Sequence, residues 1–176
     1  MKKKIMICAV SIIAVICCAI GGTFAYLQAT TESIQNTFTI GNINIELAET
    51  TTDYKMVPGN RIAKDPKVTV KANSEACWLF VKIEKSANLD NFISFVVANG
   101  WTALEDEDGV YYREVEATAA DTSFDVLADN KVTVKTTVTK QMLDALTQNT
   151  YPTLTFTAYA VQKDNISSAA AAWNLF

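Results

Sequence analysis

Apolar residues recur at every second position through most of this chain after residue 36. In Lys67–Lys71, for example, two valines alternate with polar residues, as expected of a half-buried strand. Cys77–Val81 is instead apolar at every position, which is typical of a central strand covered on both faces. About seven to nine such short segments, separated by turn signals, predict a mainly β fold: an antiparallel, jelly-roll-like β-sandwich with short helices in connections and at the C-terminus.

Turn and cap residues divide this pattern into elements. Pro58-Gly59 predicts a type II turn within a connection over residues 48–66, and Asp108-Gly109 predicts a hairpin. Thr139 is in the position of a helix cap. The first predicted strand covers 36–47 and is kinked at Gly41-Asn42. Further strands are predicted over 67–71, 77–84, 101–104, 110–115, 124–127, 131–138 and 153–161. A helical turn over 88–93 is predicted to lead into a strand, and an alanine-rich helix in 167–176 is predicted to lay Trp173 and Phe176 on the sheet.

Lys67–Val70 and Lys131–Val134 have the same sequence, KVTV. Two copies do not make a repeat architecture. We interpret them as edge-like strands, whose outward lysines discourage pairing with other chains.

The N-terminus has the features of a secretory signal peptide. Lys2–Lys4 is followed by the apolar run Ile5–Ile20 and then by small residues. Cleavage is expected between Ala25 and Tyr26, with Ala29 as a second choice. The expected domains are a signal peptide over 1–25, a polar leader over 26–36 and a β-sandwich over 37–176. The alternative is an uncleaved anchor, and only this segment would then contact a membrane.

The charge balance excludes some partners. The whole chain has a net charge of −4, and removal of three lysines with residues 1–25 makes it −7. Nucleic acids and anionic lipids are bound by clustered Lys and Arg, so an acidic secreted domain is not expected to bind them. The expected partners are a signal peptidase during export and other copies of the chain.

The residue types leave little room for catalysis. The chain has no histidine, which excludes histidine-based triads and histidine-liganded zinc. Cys77 is the one cysteine after residue 25, and its apolar neighbours predict burial. No phosphate-binding or dinucleotide-binding glycine motif is present. We therefore predict no catalytic, cofactor-binding or metal-binding residues, no cofactor and no enzymatic activity.

Two groups of residues have a functional alternative. The acidic run Glu105–Asp108 is either a solvated hairpin tip, which we favour, or a loose calcium site. Aromatic residues could form a sugar-binding platform, but such residues more often fill a sandwich core, which is our prediction. They are Trp78, Trp101, Tyr111, Tyr112 and Trp173.

The N-terminal motifs resemble those of the TasA/camelysin family of Gram-positive secreted proteins. Gly21–Ala25 (GGTFA), a polar spacer and Asn36–Ile45 (NTFTIGNINI) follow that family's opening pattern, and Val57–Gly59 and Lys64–Pro66 fit its early loop. The resemblance is specific over about residues 20–71. It implies export through the dedicated signal peptidase SipW and a location outside the cell, in the matrix or at the cell surface.

The resemblance implies two different functions. TasA-like members are biofilm-matrix proteins with a jelly-roll fold that form fibres by donating an N-terminal strand to the next subunit. The residues expected to take part here are Tyr26, Leu27, Ile34, Phe38 and Ile40. Camelysin-like members are described as metalloendopeptidases, the function we least expect. An adhesion or ligand-binding module that uses exposed aromatics such as Trp101 is the alternative to the structural role.

Overall fold

The computed structural model describes residues 41–50 and 54–176. In chain order, its elements are β1 Ile45–Ala48, β2 Arg61–Ala63, β3 Lys67–Val70, β4 Cys77–Lys85, α1 Leu89–Phe92, β5 Ile93–Ser94, β6 Thr102–Ala103, β7 Val110–Val115, β8 Thr122–Asp125, a 3-10 turn Ala128–Asn130, β9 Lys131–Val134, α2 Lys140–Asp144, β10 Leu154–Gln162 and α3 Ala169–Trp173. The mainly β fold predicted from the alternation is confirmed.

The strands form three antiparallel sheets. The large sheet has the order β10-β4-β7-β6, the β3 sheet has the order β1-β3-β8, and the β9 sheet has the order β2-β9-β5. The inner face of the large sheet packs against the β3 sheet over one part of its length, through residues such as Val68 and Val70. Its other end, with Leu154 and Phe156, packs against the residues under the β9 sheet. This layered arrangement agrees with the predicted sandwich.

Strand β4 is the centre of the fold, as its unbroken apolar run predicts. Its odd-numbered residues, such as Leu79 and Val81, lie in the core between the large sheet and the β3 sheet. Trp78 and Phe80 point to the opposite face, where Ala169 and Ala172 of α3 cover them. Both faces of this strand are therefore removed from water over Cys77–Val81.

Helix α3 confirms the prediction for the C-terminal tail. The Ser168 hydroxyl accepts a hydrogen bond from the Ala171 amide at 3.2 Å and so caps the helix. The ring centroids of Trp173 and Phe80 lie 5.3 Å apart, and those of Phe176 and Tyr159 lie 5.1 Å apart. These aromatic contacts hold the helix on the outer face of the large sheet.

The predicted turns and caps are confirmed in detail. The Asn60 amide donates to the Val57 carbonyl at 3.0 Å, and Gly59 has φ 80°, as a type II turn requires. The Thr139 hydroxyl accepts from the Met142 amide at the start of α2. The helical turn predicted over 88–93 is α1 at Leu89–Phe92, which leads into β5, and β6 pairs with β7 across the Asp108-Gly109 hairpin.

Several predictions about strands are wrong. The strand predicted over 131–138 ends at Val134, because the chain turns there and the Val138 amide donates to the Lys135 carbonyl at 3.2 Å. Residues 48–66 are more than a connection, because β2 lies within them and pairs with β9. The strand predicted over 124–127 lies at Thr122–Asp125, because it is set by pairing with β3. The two KVTV segments are not edge strands: β3 and β9 are each the central strand of a three-stranded sheet. Their lysines lie on the solvent face of the sheet, and a lysine on that face does not indicate an edge strand.

Within the described residues, the first strand is shorter than predicted. Strand β1 begins at Ile45, and residues 41–44 precede it without strand structure. The predicted inward face is nevertheless correct, because Ile43, Ile45 and Leu47 all pack against the core. Residues 36–40 of the predicted strand lie outside the described residues, as do the signal peptide and the leader.

Gly109→Ala tests the geometry of the hairpin. Gly109 has φ 74°, and a Cβ atom there would lie 2.4 Å from the Ile83 carbonyl oxygen. We expect a loss of about 1–3 kcal/mol or more in the free energy of unfolding, since a side chain is strained at this φ and the backbone contact cannot yield. Urea unfolding measures it. Gly41→Ala is the control, because its Cβ would meet only the flexible Glu75 side chain at 3.4 Å. Equal effects at the two glycines would contradict the prediction.

Candidate functional site

The residues predicted to mediate assembly and processing, from Ala25 to Ile40, lie outside the described residues. The structure therefore neither brings them together nor separates them. What it does describe is the body of the sandwich and the strand edges that such a segment could pair with. Of these edges, β10 is the longest.

Strand β10 pairs with β4 over all of its nine residues, from Leu154 opposite Lys85 to Gln162 opposite Cys77. Within the described part of the chain it pairs with no strand on its other side. It forms one edge of the large sheet, and an edge strand presents unpaired N–H and C=O groups to any chain that can reach it.

The flanking hydrogen bonds show which residues of β10 face outward. The Lys163 amide donates to the Ala76 carbonyl at 2.8 Å, and the Ser86 amide donates to the Thr153 carbonyl at 3.0 Å. Odd-numbered residues of this segment therefore bond to β4, because bonding alternates along an antiparallel pair. The even-numbered residues direct their N–H and C=O groups away from β4; they are Leu154, Phe156, Ala158, Ala160 and Gln162.

A buried ion pair lies beside this edge. Lys64 Nζ lies 2.6 Å from Glu49 Oε1, and the two side chains are only 9% and 15% exposed. The Tyr54 hydroxyl donates to the same Glu49 oxygen at 2.9 Å. Lys64 Nζ also lies 4.9 Å from the Tyr54 ring centroid and 5.3 Å from that of Phe156 on β10. This cluster connects the residue that follows β1 to β10.

The electrostatics of the cluster are those of a site removed from water. Burial raises the pKa of Tyr54 well above its usual value, and the hydrogen bond to Glu49 raises it further. The phenol therefore stays protonated and continues to donate to the carboxylate. No sequence pattern indicates this cluster, because Lys64 and Glu49 both fall in the stretch predicted to be a connection.

The acidic run Glu105–Asp108 forms the tip of the β6–β7 hairpin, and all four side chains are exposed. The functional alternative here was a loose calcium site. Across residues 41–50 and 54–176, no three His, Cys, Asp or Glu side chains come together as metal ligands would.

The aromatic residues lie mainly in the core, as predicted. Trp78 and Trp101 are 6% and 9% exposed, and Tyr111, Tyr112 and Trp173 are half-buried. The Trp101 indole N–H donates to the Asp125 carbonyl at 2.9 Å, and Arg113 packs on its ring. Trp78 and Trp101 are therefore closed to a sugar, and a binding defect in Trp101→Ala would report lost packing.

Cys77 is fully buried, as predicted. Its burial raises the pKa of the thiol to about 11, so it is a poor nucleophile at neutral pH.

A family model described as camelysin metallo-endopeptidase matches residues 1–164. The chain belongs to the camelysin family. The match spans both the N-terminal motifs and the sandwich, so the resemblance of the first residues extends through most of the chain. Neither the curated proteins nor the solved structures give a match. In the described ranges no helix has the length and apolar character needed to span a membrane.

The description of the family implies a metal, and the residues present do not fit zinc. Peptidase zinc sites use histidine together with a carboxylate or cysteine, and the whole sequence lacks histidine. The one cysteine in the described ranges is buried within the apolar core. Apart from the carboxylates of the exposed hairpin tip, the acids lie mostly in pairs with lysines, such as Glu46 with Lys71. We therefore derive no catalytic step through a metal.

Lys64→Met tests the buried cluster. We expect it to lower the free energy of unfolding by about 3 kcal/mol, because it leaves the Glu49 carboxylate buried without its cation. Combining Lys64→Met with Glu49→Met is expected to recover most of this loss, since no charge then remains buried. Chemical denaturation measures both. The control is Lys140→Met, whose lysine is 85% exposed and pairs with Asp144 on α2. A loss at Lys140 as large as at Lys64 would contradict the role of the cluster.

Proposed function

We propose that this chain is a secreted structural protein of the cell surface or extracellular matrix, and that its copies assemble by strand addition. The leader over 26–36 of one copy pairs with the outer edge of β10 in the next. One observation carries the proposal: β10 is nine residues long and bonds on one side only within the described residues. Backbone pairing along such an edge supplies affinity without requiring a side-chain pocket.

The leader has the right length for this edge. Residues 26–36 number eleven, and at ~3.3 Å per residue they reach about 36 Å when extended. The nine residues of β10 span about 30 Å on the same basis. The apolar residues Tyr26, Leu27 and Ile34 lie near the two ends of the leader, where they can anchor it on the covered faces of the large sheet.

Removal of the signal peptide supplies a switch for this assembly. Before cleavage between Ala25 and Tyr26, the leader is attached at its N-terminal end to a membrane-directed segment and cannot enter a neighbouring copy. After cleavage it has a free end. Assembly is thus restricted to protein that has been exported and processed.

The assembly is tested by two changes examined by electron microscopy and analytical ultracentrifugation. Deletion of residues 26–36 removes the donor and is expected to abolish fibres while leaving the fold intact. Ala158→Pro removes an outward N–H from the acceptor edge, a position where edge strands tolerate proline, and is expected to abolish fibres as well.

Thr157→Pro is the matched control for Ala158→Pro. Its amide points to β4, so this proline removes a bond within the sheet and is expected to destabilise the fold by about 3 kcal/mol. Fibres that form equally well after deletion of 26–36 would overturn the proposal. Fibres that survive Ala158→Pro but not the deletion would assign the acceptor to another edge.

A metalloendopeptidase is the second candidate, and the family description favours it. We expect the purified protein to show no casein hydrolysis that a chelator abolishes, because the chain lacks the histidines of a zinc site. The assay uses protein incubated with Zn²⁺ and then with EDTA, and a known zinc peptidase serves as the positive control. Hydrolysis that EDTA removes and Zn²⁺ restores would establish the peptidase function instead.

A further inference from the structure

We infer that the solvent face of the β9 sheet binds a carboxylated sugar unit of an anionic polysaccharide. This inference deepens the proposed function and rests on it, since such polymers surround cell-surface and matrix proteins. The site is a concavity of about 160 Å³ lined by residues of β2, β5 and β9 and of the turn before β9. It is smaller than the roughly 300–1,000 Å³ of pockets that take drug-sized ligands, which suits one unit of a longer chain.

Strand register brings the polar groups of the site together. Arg61 on β2 and Ser94 on β5 both lie opposite Thr133 of β9, so the three residues form one row across the sheet. Lys131 lies two residues before Thr133 on the same face, because Val132 between them points into the core. The face therefore presents two cations and two hydroxyl groups next to one another.

The charges of the site favour an anion. Lys131 Nζ lies 2.8 Å from Asp129 Oδ2, and this lysine, together with Arg61, holds the pKa of the Asp129 carboxyl below its usual range. Arg61 itself is exposed and has no hydrogen bond or ion pair with any residue in the described ranges. One carboxylate thus faces two cations, which leaves a net positive concavity on a chain whose net charge is −4.

The turn before β9 has a left-handed backbone. Asp129 and Asn130 have φ 55° and 52°, in the region that aspartate and asparagine enter more readily than other non-glycine residues. The Lys64 amide donates to the Asn130 carbonyl at 2.9 Å and fixes this turn. The turn places Asp129 of the lining beside Lys131 of β9.

The remaining lining residues distinguish a sugar acid from a simple ion. Val96 is 69% exposed and lies beside Phe95 and Ala128, so part of the concavity is apolar. A sugar acid offers a carboxylate to the Arg61 fork, hydroxyl groups to Ser94 and Thr133, and a C–H face to Val96. A phosphate would match the cations alone.

The test measures binding of fluorescently labelled polygalacturonate to the protein produced from the full chain, by anisotropy at low and at physiological salt. Arg61→Gln together with Lys131→Gln is expected to weaken binding at least tenfold, and Arg61→Lys to weaken it several-fold because the bidentate fork is lost. Lys140→Gln removes an exposed cation on α2, away from the concavity, and is the control. Unchanged melting temperatures show that the variants are folded.

The outcomes separate this inference from the proposed function. Binding that persists in the non-assembling Ala158→Pro variant and responds to Arg61 but not to Lys140 supports it, whether or not fibres form. Equal binding of neutral dextran, or an equal loss in Lys140→Gln, would overturn it. Polyphosphate that binds as tightly with the same dependence on Arg61 would overturn the assignment to a sugar acid. Selective binding of a peptide with the sequence of residues 104–109 would also overturn that assignment. It would indicate that the site binds the hairpin tip of a second copy of the chain.

Discussion

The fold depends on β4 being buried on both of its faces. A strand that is apolar at successive positions cannot remain at an edge or on a surface, since either face would then meet water. The β3 sheet covers its odd-numbered residues, and α3 covers Trp78 and Phe80. Once β4 is fixed, β7 and β10 can pair only to its two sides. β7 is followed by β6 in the sheet, whereas in the described residues no strand pairs beyond β10.

The parts of the fold that depend on local pattern could be predicted from the sequence. The inward valines of β3 and β9, the Pro58-Gly59 turn, the Thr139 cap and the C-terminal helix all follow from side-chain period or backbone preference. The faces of strands are set locally, but their neighbours are set by long-range packing. For this reason the sequence predicts the KVTV segments correctly as strands and wrongly as edge strands.

The candidate sites were less predictable for a related physical reason. The Lys64 side chain is 9% exposed, although it lies in a stretch predicted to be a connection. Only tertiary contact with Glu49 and Tyr54 shows why a lysine is buried there. Arg61 carried no signal either, because a row of polar residues across a sheet exists only once the strands are in register. The disagreement between the family's peptidase description and the lack of histidine, in contrast, is visible from the sequence alone.

The positions of β4 and β10 along the chain affect when the edge of the large sheet forms. Strands β4 and β10 are neighbours in the sheet, yet β10 begins 69 residues after β4 ends. The loop between them must close before the edge exists, and closing a long loop is slow compared with forming local structure. In the proposed route of export and strand addition, the leader would emerge well before residues 154–162. A newly exported copy would then donate a strand before it could accept one, and the order of folding would give growth a direction.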